Sequence, residues 1–187
     1  MPVKFEKTEI EGVVLCMPDV LRDSRGFFVE TFHAAKYAAG GITCDFVQDN
    51  RSSSLKGVLR GLHYQLRKPQ AKLVFCMKGE IFDVAVDIRR GSPTFGRWSA
   101  AVLSEGNQRQ LFIPPGFAHG FRVLSDVAEI FYKCSAFYDQ TDDRGLRWDD
   151  QDIGIVWPGE TPPVLSEKDK VQPLLKDVPV EMLPEFK

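Results

Sequence analysis

Phe82-Asp83-Val84-Ala85-Val86-Asp87-Ile88 is the stretch from which the fold class follows. Its bulky apolar residues fall on every second position, so Phe82, Val84, Val86 and Ile88 share one face of an extended strand. Such alternation predicts a half-buried antiparallel strand. Outward from it, β-rich apolar runs recur at residues 13–17, 27–32, 73–77, 110–113 and 129–138, with turn signals such as Lys78-Gly79 and Glu105-Gly106-Asn107 between them. Many short strands spaced in this way build a sandwich or barrel. Helix is sparse: Ala34–Ala39, stopped by Gly40-Gly41, and a short segment over 168–176. The proline-rich stretches 161–164 and 178–184 predict a tail along the surface, because proline cannot donate to a central ladder. No repeat or linker interrupts residues 1–187, so a single domain is expected.

With 187 residues, 43% hydrophobic and 27% charged, the chain is long enough for one core, and a domain of this size buries roughly 70% of its unfolded surface. A net charge of -2 leaves no basic footprint for nucleic acid. Residues 1–10 are charged and hold no apolar signal core, and no apolar run approaches the ~20 residues of a membrane span. The expectation is a cytoplasmic protein that binds neither nucleic acid nor membrane. Cys16, Cys44, Cys76 and Cys134 are scattered, form no C-x-x-C pair and mostly lie in apolar runs, which predicts buried free thiols.

Chemistry gathers around two of the three histidines. Gly61-Leu62-His63-Tyr64-Gln65 and Pro114-Pro115-Gly116-Phe117-Ala118-His119-Gly120-Phe121 set them beside glycines that let the backbone bend or approach a ligand. Leu165-Ser166-Glu167-Lys168-Asp169 supplies a carboxylate able to orient an imidazole, so the three segments together predict an acid-base site. Strict alternation puts Arg60 and His63 on opposite faces, whereas a bulge at Gly61 would bring both into one cavity. Gln48 and Asn50, two apart, share a face, and so do Tyr132 and Tyr138 at a spacing of six. The segment 114–119 resembles the second half of the metal motif of cupin barrels, but the first half, two close histidines and a glutamate, is missing. His33, in a predicted helix with Lys36 and Tyr37 nearby, reads as lying on a solvated face rather than as a third ligand. The pattern points to proton chemistry with no metal ion.

Taken in order, Gln-Asp-Asn-Arg-Ser (48–52), Gly-Val-Leu-Arg-Gly-Leu-His-Tyr-Gln (57–65), Gln-Ala-Lys-Leu-Val (70–74), Phe-Asp-Val-Ala-Val-Asp-Ile-Arg (82–89), Ser-Pro-Thr-Phe-Gly (92–96), Ile-Pro-Pro-Gly-Phe-Ala-His-Gly-Phe (113–121), Tyr132-Lys133 and Leu-Ser-Glu-Lys-Asp (165–169) resemble the dTDP-4-dehydrorhamnose 3,5-epimerase family. The resemblance runs through nearly the whole chain. It implies an all-β, cupin-like jelly-roll barrel of antiparallel strands with a few short helices, working as a homodimer. It also implies cofactor-independent inversion of dTDP-4-dehydro-6-deoxyglucose, a dTDP-4-keto-6-deoxyhexose, at C3 and C5.

That chemistry needs such residues. A hydrogen on carbon beside a ketone is only weakly acidic, so its removal requires a positioned base and a cation or donor that holds the developing enolate oxygen. By resemblance His63 is the base, Asp169 holds its other ring nitrogen, Lys72 lies near the C4 oxygen, and Tyr132 donates a proton on the opposite ring face. Resemblance also assigns Gln48, Asn50, Arg60, His119 and Lys168 to the sugar or diphosphate, Tyr138 to the thymine, and Arg25 and Glu30 to a reach across the dimer. One departure stands out: where the family commonly has an acidic residue just before Gly145, this chain has Arg144, with Asp143 one place earlier. Phe137 replaces a second tyrosine with no expected effect. Other readings stay open on the sequence: a mono-epimerase that inverts only one centre, a silent nucleotide-sugar binding module, and a metal-dependent cupin.

Overall fold

The computed structural model describes residues 1–186. Its strands, in chain order, are β1 (Val3–Lys7), β2 (Val14–Pro18), β3 (Val20–Asp23), β4 (Gly26–Val29), β5 (Gln48–Leu55), β6 (Leu59–Gln65), β7 (Lys72–Lys78), β8 (Glu80–Asp87), β9 (Trp98–Ser104), β10 (Gln110–Ile113), β11 (Phe117–Val123), β12 (Val127–Cys134) and β13 (Asp143–Gly145). The helices are α1 (Ala34–Ala39) and α2 (Glu167–Lys170). Two sheets enclose the core, one ordered β1-β2-β10-β7-β12-β5 and the other β13-β6-β11-β8-β9. Paired strands within them run antiparallel. The expected cupin-like jelly-roll barrel is the architecture observed.

β8 sits inside its sheet, paired with β11 on one side and β9 on the other. Ile81 and Ala85 point into the space between the sheets, against Val74, Leu111, Phe121 and Ile130. Val84, Val86 and Ile88 point the other way, yet they too are fully buried. Leu175, Val178 and Leu183 from the C-terminal stretch cover them, together with Leu62 and Leu146. The half-buried strand expected from alternation is therefore buried on both faces, because residues about ninety positions later in the chain cap its outer side. Each Val or Leu buried in this way contributes about 1.5–3 kcal/mol over leaving it exposed.

Elsewhere ladders end where partners run out. The run 27–32 is strand only to Val29, which pairs with Val20 at the start of β3. The run 129–138 ends at Cys134, which pairs with both Gln48 and Lys72, the first residues of β5 and β7. α1 ends before Gly40 as expected. The second helix stops at Lys170 instead of running to 176, since Pro173 cannot continue it, and a separate 3-10 turn forms at Leu175–Asp177.

Candidate active site

Inward-facing positions of both sheets open into a cleft. It consists of two adjoining cavities of about 370 Å³ and 390 Å³ that share His63, Lys72, His119 and Tyr132 in their walls. Each is within the size range of small-molecule and cofactor sites. One lobe continues to Gln48, Asn50, Tyr138, Asp143 and Lys168, and the other to Arg60, Ser166 and Asp169. Of the residues expected at the site, Arg25 and Glu30 alone lie outside the cleft of their own chain. Arg25 is exposed at the β3–β4 turn and pairs with Asp23, and Glu30 pairs with Lys36.

Gly61 brings Arg60 and His63 to the same wall. On β11, His119 stands opposite His63 and Phe121 opposite Arg60, so three steps on β6 match two on β11. This is the bulge that the spacing required. Gly61 has φ +125, and a Cβ there would lie 2.5 Å from Gly120 Cα and 2.8 Å from the His119 carbonyl oxygen. Only glycine fits so close an approach at that backbone angle.

His63 Nε2 lies 2.6 Å from an oxygen of Asp169, whose side chain is 3% exposed. Asp169 is delivered by α2, a single turn capped by Ser166, whose hydroxyl accepts the Asp169 N–H at 3.1 Å. Burial alone would raise the Asp169 pKa, but the hydrogen bond and charge of His63 outweigh it and hold the carboxyl below its usual range. With Nε2 engaged, Nδ1 is the ring nitrogen left for chemistry.

Across the cleft the Tyr132 phenol is pushed up in pKa, mainly by burial and then by Cys134, so it keeps its proton at neutral pH. Lys72 is pulled down by burial, while the charges around Cys134, Asp83 and Asp143 oppose that fall. His119 Nε2 lies 2.8 Å from Asp83, which is wholly buried. Each cleft imidazole thus has one nitrogen tied to a carboxylate, and no group of three potential metal-ligating side chains converges among the described residues.

The outer lobe is organised by Gln48, Tyr138 and Asp143. Gln48 donates to the Asn50 side-chain oxygen at 3.0 Å and accepts the Tyr138 N–H at 2.8 Å. Tyr138 reaches the cleft through the turn after β12, not by strand alternation with Tyr132, since β12 has already ended. Its hydroxyl donates to Asp143 at 2.9 Å, and the same carboxylate oxygen accepts from the Lys168 ammonium. Burial and Asp143 push the Tyr138 pKa up to about 12. Asp143, which the sequence places one position before the expected acidic residue, is a cleft residue. Counting by two along β13 finds it: Gly145 faces His63 and Asp143 faces Gln65, so Asp143 points inward and Arg144, opposite Tyr64, points out.

Known proteins resemble this chain in both sequence and fold. Residues 7–177 match the dTDP-4-dehydrorhamnose 3,5-epimerase family. The dTDP-4-dehydrorhamnose 3,5-epimerase of Shigella flexneri is 56% identical over 165 residues, covering 87% of this chain and 91% of that protein. The enzyme of the same name from Methanothermobacter thermautotrophicus is 50% identical over 179 residues, covering 95% and 97%. Among solved structures, the dTDP-6-deoxy-D-glucose-3,5-epimerase of Legionella pneumophila, in complex with dTDP-4-keto-L-rhamnose, superposes with a TM-score of 0.97 at 47% identity and covers 99% of both chains. With sequence and barrel both matched, the chain belongs to the dTDP-4-dehydrorhamnose 3,5-epimerase family and is an isomerase.

Proposed function

We propose that this chain converts dTDP-4-dehydro-6-deoxyglucose to dTDP-4-dehydrorhamnose by inverting C3 and C5, with no cofactor. The observation that carries the reading is the His63–Asp169 pair at 2.6 Å, set in a cleft whose walls also hold Lys72 and Tyr132. His63 Nδ1 removes the proton beside the ketone, and Asp169 stabilises the resulting imidazolium. The Lys72 ammonium holds the oxygen at C4 as enolate charge develops there. The Tyr132 phenol returns a proton on the opposite ring face, which inverts the carbon. Exchange with solvent then resets tyrosinate and imidazolium. Arg60 and Lys168 serve the diphosphate, Gln48 and Asn50 the nucleotide sugar, and Tyr138 stacks on the thymine.

The working unit in this reading is a homodimer in the cytoplasm. A paired β3–β4 ribbon stands apart from both sheets and exposes Leu21, Phe27 and Phe28 by 55–64%. Such an apolar surface favours a protein partner, and a second copy would receive Arg25 from the ribbon's turn. Free thiols at all four cysteines suit a reducing compartment.

Incubation with dTDP-4-keto-6-deoxyglucose in deuterated water, followed by NMR, tests the reaction. Deuterium at both C3 and C5 is expected. Exchange at one centre would mean a mono-epimerase, and exchange at neither would overturn the proposal.

A further inference from the structure

Asp83 lies on β8 with its side chain wholly buried, and it lines neither lobe of the cleft. Burying a carboxylate is unfavourable unless hydrogen bonds and opposite charge offset it. One of its oxygens, Oδ1, has His119 Nε2 at 2.8 Å, whereas Oδ2 has no hydrogen-bond partner among the described residues. The mechanism above makes no use of this group. We propose that Asp83 is a positioning residue: Oδ1 fixes the proton of a neutral His119 on Nε2, leaving Nδ1 as an acceptor for a hexose hydroxyl, while Oδ2 supplies counter-charge for the Lys72 ammonium at the ketone.

His119 supports the first half. Burial lowers its pKa, and Lys72 and His63 lower it further, against the opposing charge and hydrogen bond of Asp83. A neutral imidazole has one donor and one acceptor, and a carboxylate only accepts, so the nitrogen facing Asp83 must carry the proton. His119 lines both lobes, and its Nδ1 lone pair attracts a hydroxyl hydrogen but repels a phosphate oxygen. The residue therefore selects a sugar hydroxyl and not the diphosphate.

Lys72 supports the second half. Burial lowers its pKa; Cys134 from β12, Asp83 from β8 and Asp143 from β13 raise it, and Lys168 from α2 lowers it, with His119 across the interior on β11. Its desolvation has to be offset by negative charge if it is to stay an ammonium. Asp143 Oδ2 is shared between Lys168 and Tyr138. Asp83 Oδ2 is the buried carboxylate oxygen left without a hydrogen-bond partner among the described residues.

The inference rests on the epimerase reading but fails separately from it. Nitrogen-15 NMR of histidine-labelled wild-type protein, with His119 identified by the loss of its signals in His119→Gln, reads the tautomer without substrate. A proton on Nε2 and a bare Nδ1 across about pH 6–8 is expected. A proton on Nδ1, or an imidazolium at neutral pH, overturns the proposal. In Asp83→Asn, kcat should fall about 10²-fold, the loss typical of one group stabilising an oxyanion. Its alkaline limb should move to lower pH, since an ammonium without counter-charge loses its proton sooner. An alkaline limb at its wild-type position overturns the second half, and should the variant not fold, the wild-type spectrum still decides the tautomer. If wild-type protein exchanges no deuterium at C3 or C5, the epimerase reading fails instead.

Discussion

At Asp169 burial and pairing act against each other, and pairing wins. A carboxyl with a folded pKa below its unfolded value near 3.9 adds stability that is fully present above about pH 4 and is lost as pH falls through the folded value. Asp169→Asn should therefore lose less stability than wild type between about pH 5 and pH 3, read from urea midpoints, because it has no such proton to take up. Parallel curves would show that the pair contributes nothing to folding. The same variant should turn over about 10³-fold more slowly, since His63 would lose its orienting carboxylate. Tyr132 separates the two halves of the proposed reaction. Tyr132→Phe should slow product formation far more than deuterium exchange into substrate, because His63 still removes the proton while the opposite face has no donor. Intact epimerisation in this variant would remove Tyr132 from the acid role. Residues such as His63 and Asp169 stood out in sequence because histidine is scarce and a carboxylate beside a helix start is conspicuous. Asp83 did not, since one inward carboxylate within an alternating strand looks like any polar residue until its neighbours from β7 and β11 are known.

Elements carry the register on which those side chains depend. The Gly61 bulge was legible because Arg60 and His63, three apart, could share a cavity only if one residue of β6 was left out of the pairing. Gly120 was not, as nothing local announces that its Cα faces that bulge. Gly61→Ala would set a methyl group against Gly120 and the His119 carbonyl at a backbone angle disfavoured for side chains, costing about 2–4 kcal/mol. Thermal and urea unfolding should both register the loss, and activity should fall with it as β6 shifts His63 away from Asp169. A stable, fully active Gly61→Ala protein would mean that the close approach is dispensable. Strand ends were read less well than strand centres. β12 stops at Cys134 because its partners β5 and β7 begin there, a constraint set by chain segments far away in sequence.

For the whole molecule, alternation reported one apolar face of β8 and not its cover, because the residues that shield Val84 and Val86 come from the C-terminal stretch. Quaternary structure is harder still to read from one chain, and it sets the fate of Arg25, whose side chain is 88% exposed at the tip of an apolar ribbon. If the proposed dimer places Arg25 in the partner's cleft, each active site is built from two chains, and two different defects can complement. Arg25→Ala keeps its own His63 but gives its partner no arginine, and His63→Ala does the reverse. In a mixed dimer one cleft receives both wild-type groups and the other neither. Random mixing of two inactive variants should then restore roughly a quarter of wild-type activity, half of the dimers being mixed and half of their clefts intact. Unfolding and refolding the pair together, then assaying against each variant refolded alone, checks this. Recovery no greater than the sum of the two variants' separate activities would mean that Arg25 does not act across the interface, while recovery near a quarter would be produced by a shared site and not by improved folding.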